Sequence, residues 1–252
     1  SHGSPASPWV HFDLVRALAD AGFTVALPEH HADNSRDDSD PGPPAWRRHP
    51  LEVSRAIDRL AQEPAFASAL DFTRVGMFGM SAGGHTALTL AGGRWSPSRL
   101  RDHCRLNIAE DFHACAGPSV ALTGGLLDGV KKLIVNAIND RKLDDSSWYE
   151  HVDSRIIAVA AGVPFAADFD PDSLRQPAVA LALISARKAR WLIPRFHSDA
   201  IVAACRSCEQ LLTVESGGHG ALLGPLPPGG GFSDLIQDPP EFDRDTQVPR
   251  IN

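Results

Sequence analysis

Apolar positions along this chain follow two rhythms. Between Trp9 and Ala21, the residues Phe12, Val15, Leu18 and Ala19 recur at three- and four-residue spacing, with Leu14 beside the stripe. That spacing predicts an amphipathic helix, and Gly22 supplies the stop that glycine commonly gives just past a helix C-terminus. A second helical stripe runs over residues 51–62 through Leu51, Val53, Ala56, Ile57 and Leu60. The other rhythm is the short uninterrupted apolar run. Phe23 to Leu27, Arg74 to Phe78, Ile156 to Val163, Ala178 to Ile184 and Leu212 to Val214 all read this way. Such runs predict strands covered on both faces. Ala82 to Ala91 predicts a helix of small residues ended by Gly92-Gly93, and His197 to Leu211 predicts another helix. Residues 32–49, rich in Asp, Ser, Pro and Arg, predict a surface loop, and the Pro- and Gly-rich tail from Gly224 predicts irregular structure.

Strands alternating with helices predict an α/β fold with a mostly parallel sheet and helices on both faces. Residues 94–153 break the alternation. They hold no strand pattern, a Cys- and His-rich stretch at 103–115 and a helix near 126–140. This segment is too poor in aliphatic residues for a large core of its own. It therefore reads as a cap inserted into a single domain spanning residues 1–252.

Composition narrows the function classes. With 252 residues, 43% hydrophobic and 22% charged, the chain has the make-up of a globular domain rather than a disordered, collagen-like or coiled-coil one. The net charge of -7, from 24 Lys+Arg against 31 Asp+Glu, argues against nucleic acid as the main partner. No uncharged apolar run reaches the ~18–20 residues that cross a bilayer. No basic segment followed by an apolar one opens the chain, so the sequence leaves an exported and a cytoplasmic location both open.

The candidate chemistry starts at Gly79-Met80-Ser81-Ala82-Gly83, followed by Gly84. An apolar strand ends just before this motif and a helix begins just after it. A serine on so sharp a turn projects its hydroxyl above the carboxyl edge of a sheet, and the glycines remove the Cβ atoms that would clash. A serine nucleophile needs a base. His219, in Gly217-Gly-His-Gly220 after the last predicted strand, is placed to supply it. His2-Gly3-Ser4 precedes the first helix, and the backbone N–H groups of Ser4 and Ala82 are the expected oxyanion donors.

Together these segments resemble the α/β-hydrolase superfamily, and within it the dienelactone-hydrolase-like and platelet-activating-factor-acetylhydrolase-like branch. The resemblance rests on Ser1-His-Gly3, Leu18-Ala-Asp-Ala-Gly-Phe23 with Val25-Ala-Leu-Pro-Glu-His30, the Gly79–Gly84 turn and Gly217–Gly220, and it spans most of the chain. It implies hydrolysis of carboxylic esters through an acyl-enzyme intermediate, on a small-molecule ester substrate and without a cofactor. Family members usually carry two or three strands before the His-Gly turn and an amphipathic helix at the end. On that pattern the N-terminal strands and the C-terminal helix are expected to be missing here. Members also carry an acid shortly before a Pro-Arg-Phe-like segment, and aligning Ser185 to Phe196 on that pattern puts Ala189 at the acid position. The other available acids follow the preceding strand, at Asp168 and Asp170. Asp170 stands as the candidate third member of the triad, against the reading of both as turn or helix-capping residues. Ala189 also supports an alternative function, a catalytically impaired hydrolase fold that binds a ligand or partner.

The remaining motifs are read more plainly. Trp95, Trp148, Tyr149 and Trp191 are candidates for one wall of the substrate pocket. Cys104 and Cys115 bracket a short polar loop and are expected to be joined if the protein is exported, whereas Cys205 and Cys208 read as small buried residues on a helix. His103, Cys104, His113 and Cys115 are explained equally well by a local disulfide or by buried thiols, rather than by zinc. His30-His31 with Asp33 are read as loop residues, so no metal site is expected.

Overall fold

The computed structural model describes residues 1–224 and 238–251. Among these, β1 (Val75–Met80), β2 (Ile156–Gly162), β3 (Ala180–Ala186) and β4 (Glu209–Val214) form one sheet in the order β1-β2-β3-β4, every adjacent pair parallel. Parallel neighbours require a crossover; α-helices lie in two of the three crossovers, and the one between β2 and β3 holds only a 3-10 turn, Pro171–Leu174. The helices are α1 (Phe12–Asp20), α2 (Pro43–Gln62), α3 (Pro64–Ala67), α4 (Ala82–Leu90), α5 (Pro97–Asn107), α6 (Phe112–Ala116), α7 (Asp128–Lys142), α8 (Ser198–Ala204) and α9 (Arg244–Ile251). The chain is thus α/β with an all-parallel sheet flanked by helices. Every residue of α4 is buried, and the helix lies against β1 and β2. Its small side chains let it approach the sheet closely.

Helix α1 ends as its sequence predicts. Gly22 adopts φ +90°, and the N–H groups of Gly22 and Phe23 donate to the Ala19 and Leu18 carbonyls at 3.0 Å each.

Four expectations need correction. Phe23 to Leu27 is not a strand, and none of its residues is buried. An apolar run becomes a strand only beside a ladder partner, and none is present among the described residues. Second, the expected loop at 32–49 ends early, because α2 starts at Pro43. Pro43 and Pro44 occupy first-turn positions whose N–H groups have no helical partner anyway. Burial of Trp46, His49, Pro50, Val53 and Ile57 along one face outweighs the helix-breaking Pro50. Third, α8 stops at Ala204, and a Cys205–Cys208 disulfide closes the turn into β4. These cysteines are therefore half-buried and bonded rather than packed within a helix. Fourth, the tail is not irregular throughout. Residues 225–237 lie outside the described residues, but α9 closes the described chain. Phe242 and Val248 are buried against Val214, Ala221 and Leu222, so a C-terminal helix is present where one was expected to be missing.

Residues 94–153 are helical and hold no strand, and α5, α6 and α7 share a small cluster of Ile108, Phe112 and Val135. The Cys104–Cys115 disulfide ties α5 to α6. Residues 94–153 are tied to the main core at their base. Trp95 is fully buried in the main core and bridges to Tyr149 and Phe169. On its outer side α7 exposes Val130, Leu133, Ile134 and Ile138.

Candidate active site

Strand β1 delivers Ser81 to the carboxyl edge of the sheet. Ser81 has φ +59° and ψ -118°, a left-handed conformation that a non-glycine residue adopts only under strain. Its surroundings hold it there. The Ser81 N–H donates to the Gly162 carbonyl at 3.0 Å, and its own carbonyl accepts from His85 and Phe165 N–H groups at 3.0 and 3.1 Å. The glycines of the motif are steric requirements. A Cβ on Gly79 would lie 2.0 Å from the Gly83 carbonyl oxygen, and one on Gly83 would lie 2.1 Å from that of Ser1. Any side chain at either position would force the turn open.

His219 reaches this serine across 138 residues of sequence, with Nε2 3.1 Å from Ser81 Oγ. The ring is nearly buried and lies 5.5 Å, centroid to centroid, from Trp191. Burial, with a smaller repulsion from His197, lowers its pKa to about 4. The imidazole is therefore neutral at pH 7, as a general base must be. Among the described residues its Nδ1 is buried without a hydrogen-bond partner.

The acid is where sequence and structure part. Asp170 makes its side-chain hydrogen bonds away from His219. Its carboxylate accepts from Arg94 at 3.0 Å and from the Asp172 N–H at 3.2 Å, capping a short 3-10 turn. The candidate acid is thus corrected to a capping residue, because a Pro follows it and leaves the first free N–H groups of that turn to its side chain. Asp168 is fully buried, but its partner is His85, at 3.0 Å. The loop after β3 does run beside His219. Arg187 N–H donates to the Val214 carbonyl and Lys188 N–H to the Gly217 carbonyl, each at 3.0 Å. Ala189 follows at once, 4% exposed, in the cluster with Ala221 and Leu222. A methyl group therefore stands at position 189, on the loop that runs beside the His219 turn.

The N-terminal residues pack against the serine. A Cβ on Gly3 would lie 3.3 Å from Ser81 Cβ, so Gly3 packs directly on the turn. The backbone N–H groups of Ser4 and Ala82 take no hydrogen-bond partner among the described residues. The Ser4 hydroxyl donates to Asp33, His2 Nδ1 pairs with its neighbour's carbonyl at 2.8 Å, and His2 Nε2 accepts from the His30 N–H at 3.1 Å. This segment is held by side chains rather than by a ladder alone.

Of the four aromatics expected to form a wall, only Trp191 touches the histidine. Trp95 is core. Trp148 lies under Arg94 and Arg99, and Tyr149 under Arg47, with its hydroxyl donating to Asp145. These three are corrected to structural roles, because cations and the core occupy their faces.

Two positioning groups escape a sequence reading. Arg244 donates to the carbonyls of Gly220 at 3.1 Å, Leu223 at 2.5 Å and Gly224 at 3.2 Å. It also pairs with Asp238, whose other oxygen accepts from the Gly218 N–H at 2.8 Å. The tail thus clamps the turn that carries His219, and no local pattern announces it. The second is Asp111, just before α6, which accepts from His103 at 2.8 Å and His197 at 3.0 Å. Burial alone would push its carboxyl up, but the two imidazole hydrogen bonds outweigh it and the pKa falls to about 2. His197 in turn accepts from the Ala166 N–H at 2.9 Å, beside the turn that receives the Ser81 carbonyl.

The chain matches no protein-family model and no curated protein.

Proposed function

We propose that this chain is a serine hydrolase of the α/β-hydrolase type that cleaves small carboxylic esters, slowed by the lack of a triad acid. The observation that carries the reading is the Ser81 Oγ to His219 Nε2 distance of 3.1 Å at a strained strand-to-helix turn. His219 Nε2 takes the Ser81 proton as Oγ attacks the ester carbonyl. The oxyanion forms against the Ser4 and Ala82 N–H groups, a donor of this kind lowering the barrier by roughly 3–4 kcal/mol. The imidazolium then protonates the leaving alkoxide, and a water activated by His219 releases the acid.

The unpartnered His219 Nδ1 favours a second reading, a hydrolase fold that binds its ligand and barely turns it over. Hydrolysis of p-nitrophenyl acetate and butyrate by the protein and by Ser81→Ala separates the two. A fluorophosphonate adduct on Ser81, read by intact mass, with hydrolysis lost in Ser81→Ala supports the enzyme. Equal rates from both proteins and no adduct would leave the binding reading.

A further inference from the structure

Next to the candidate site, but not part of its chemistry, lies a buried cluster of nitrogen and oxygen donors. His30 and His49 are both fully buried, and their rings stack at 3.7 Å with 13° between planes. Glu52 follows His49 by three residues on α2, so the two share a helix face. A ring nitrogen of each histidine and a carboxylate oxygen of Glu52 all lie within 4.8 Å of one another. His30 Nδ1 already pairs with Glu52 Oε2 at 2.6 Å. The independent sign of a missing partner is His49. Among the described residues its Nδ1 is buried with no hydrogen-bond partner. Asp33 Oδ2, fully buried, lies 3.2 Å from His49 Nε2, so Nδ1 is the ring nitrogen left without a neighbour. Buried polar atoms without partners are costly and rare in folded proteins.

We infer that His30, His49 and Glu52 form a binding site for a divalent transition-metal ion of the zinc class. Two imidazoles and one carboxylate are a donor set that suits zinc, with a position left open, whereas magnesium and calcium take oxygen-rich sets. Asp33 adds a carboxylate at the His49 ring, the outer partner that commonly orients a metal-bound histidine. Binding replaces the His30–Glu52 hydrogen bond with two metal bonds, and the proton between them is released to solvent. Glu52, whose side chain is 17% exposed, opens the site to entering ions. The two stacked rings must splay slightly for their nitrogens to converge. The site has a structural consequence. His30 Nε2 meets the Ser1 hydroxyl at 2.6 Å and its N–H meets His2, so an ion there ties α2 to the segment carrying Ser4.

The test uses the whole chain after dialysis against a chelator, titrated with Zn(II) and, separately, with Co(II) and Mg(II). The expected result is one Zn(II) per chain by elemental analysis, a higher melting temperature with zinc, a visible Co(II) band and no response to Mg(II). Glu52→Gln and His49→Ala should each weaken Zn(II) affinity at least tenfold, while replacing the exposed neighbour in His31→Ala leaves it unchanged. Should His49→Ala fail to fold, Glu52→Gln at the edge of the cluster carries the same test. No stoichiometric Zn(II) in the parent chain, or unchanged affinity in Glu52→Gln, would overturn the site.

Discussion

Ala189→Asp is the substitution that most directly tests the reading of the site. In the parent chain His219 must accept the Ser81 proton at Nε2, so Nδ1 must carry the other hydrogen. That N–H is buried without an acceptor among the described residues. An unsatisfied buried donor costs about 1–3 kcal/mol, which biases the ring toward the tautomer that cannot act as base. The imidazolium formed during attack also lacks a counter-charge. In Ser-His-Asp hydrolases, disabling the acid lowers turnover about 10⁴-fold, or ~5 kcal/mol of barrier at 1.36 kcal/mol per decade. Position 189 lies on the loop bonded to Val214 and Gly217, and its side chain packs with Ala221 and Leu222. A carboxylate placed there enters an apolar cluster, so part of the gain is offset by burial. Turnover of p-nitrophenyl acetate should rise about 10²- to 10⁴-fold. The pH dependence should move as well. The parent base titrates at about 4, so its kcat/KM should climb through about pH 4 and stay flat to neutrality. A neighbouring carboxylate favours the protonated imidazole and raises that pKa, so the acid limb should shift to higher pH. A folded Ala189→Asp protein with less than a threefold rate increase and an unmoved acid limb would refute this assignment of the acid position.

Three further outcomes follow from the structure. Arg244→Ala removes the hydrogen bonds to Gly220, Leu223 and Gly224 and should lower stability by about 1–3 kcal/mol in urea titration, with a fall in kcat larger than any change in KM; unchanged kcat and stability would show that the tail does not hold the His219 turn. Cys104→Ser opens a loop of eleven residues' separation and should cost ~3 kcal/mol, readable as a lower melting temperature that reduction of the parent reproduces. His219 and His11 are both buried, with pKa values lowered to about 4 and about 3. An unfolded chain takes up those protons from the ordinary value of 6.5 downward while the folded chain refuses them, so stability should fall as pH drops from about 6.5 toward 4, at ~1.4 kcal/mol per pH unit for each histidine. A flat stability curve over that range would remove the case for two buried neutral rings.

Much of this was written locally. The Gly-x-Ser-x-Gly turn is legible because its glycines answer contacts within the turn itself and with the residues packed on it. The stop at Gly22 and the apolar runs of β1, β2 and β3 are likewise properties of a few adjacent residues. His219 was legible by its place after the last strand, although its approach to Ser81 is a tertiary fact. What sequence could not decide is whatever depends on a distant partner. The run from Phe23 to Leu27 has the apolar character of a strand, yet a strand exists only beside another strand. The helix α2 reaches back to Pro43 because its buried face packs on the core, against the local preference of a Pro- and Asp-rich stretch for a loop. That extension brings His49 and Glu52 onto one face with His30, a cluster invisible while residues 32–49 are read as coil. Asp170 was drawn toward the site by its place after a strand, but its own Pro and the nearby Arg94 give it closer partners. Arg244 and Asp238 carry no periodicity at all, and only the folded chain sets them against the histidine turn. The sequence determined where the backbone turns and which residue types stand at those turns. The tertiary structure decided which of them meet, because hydrogen bonds and burial act over a few ångströms and are indifferent to separation along the chain.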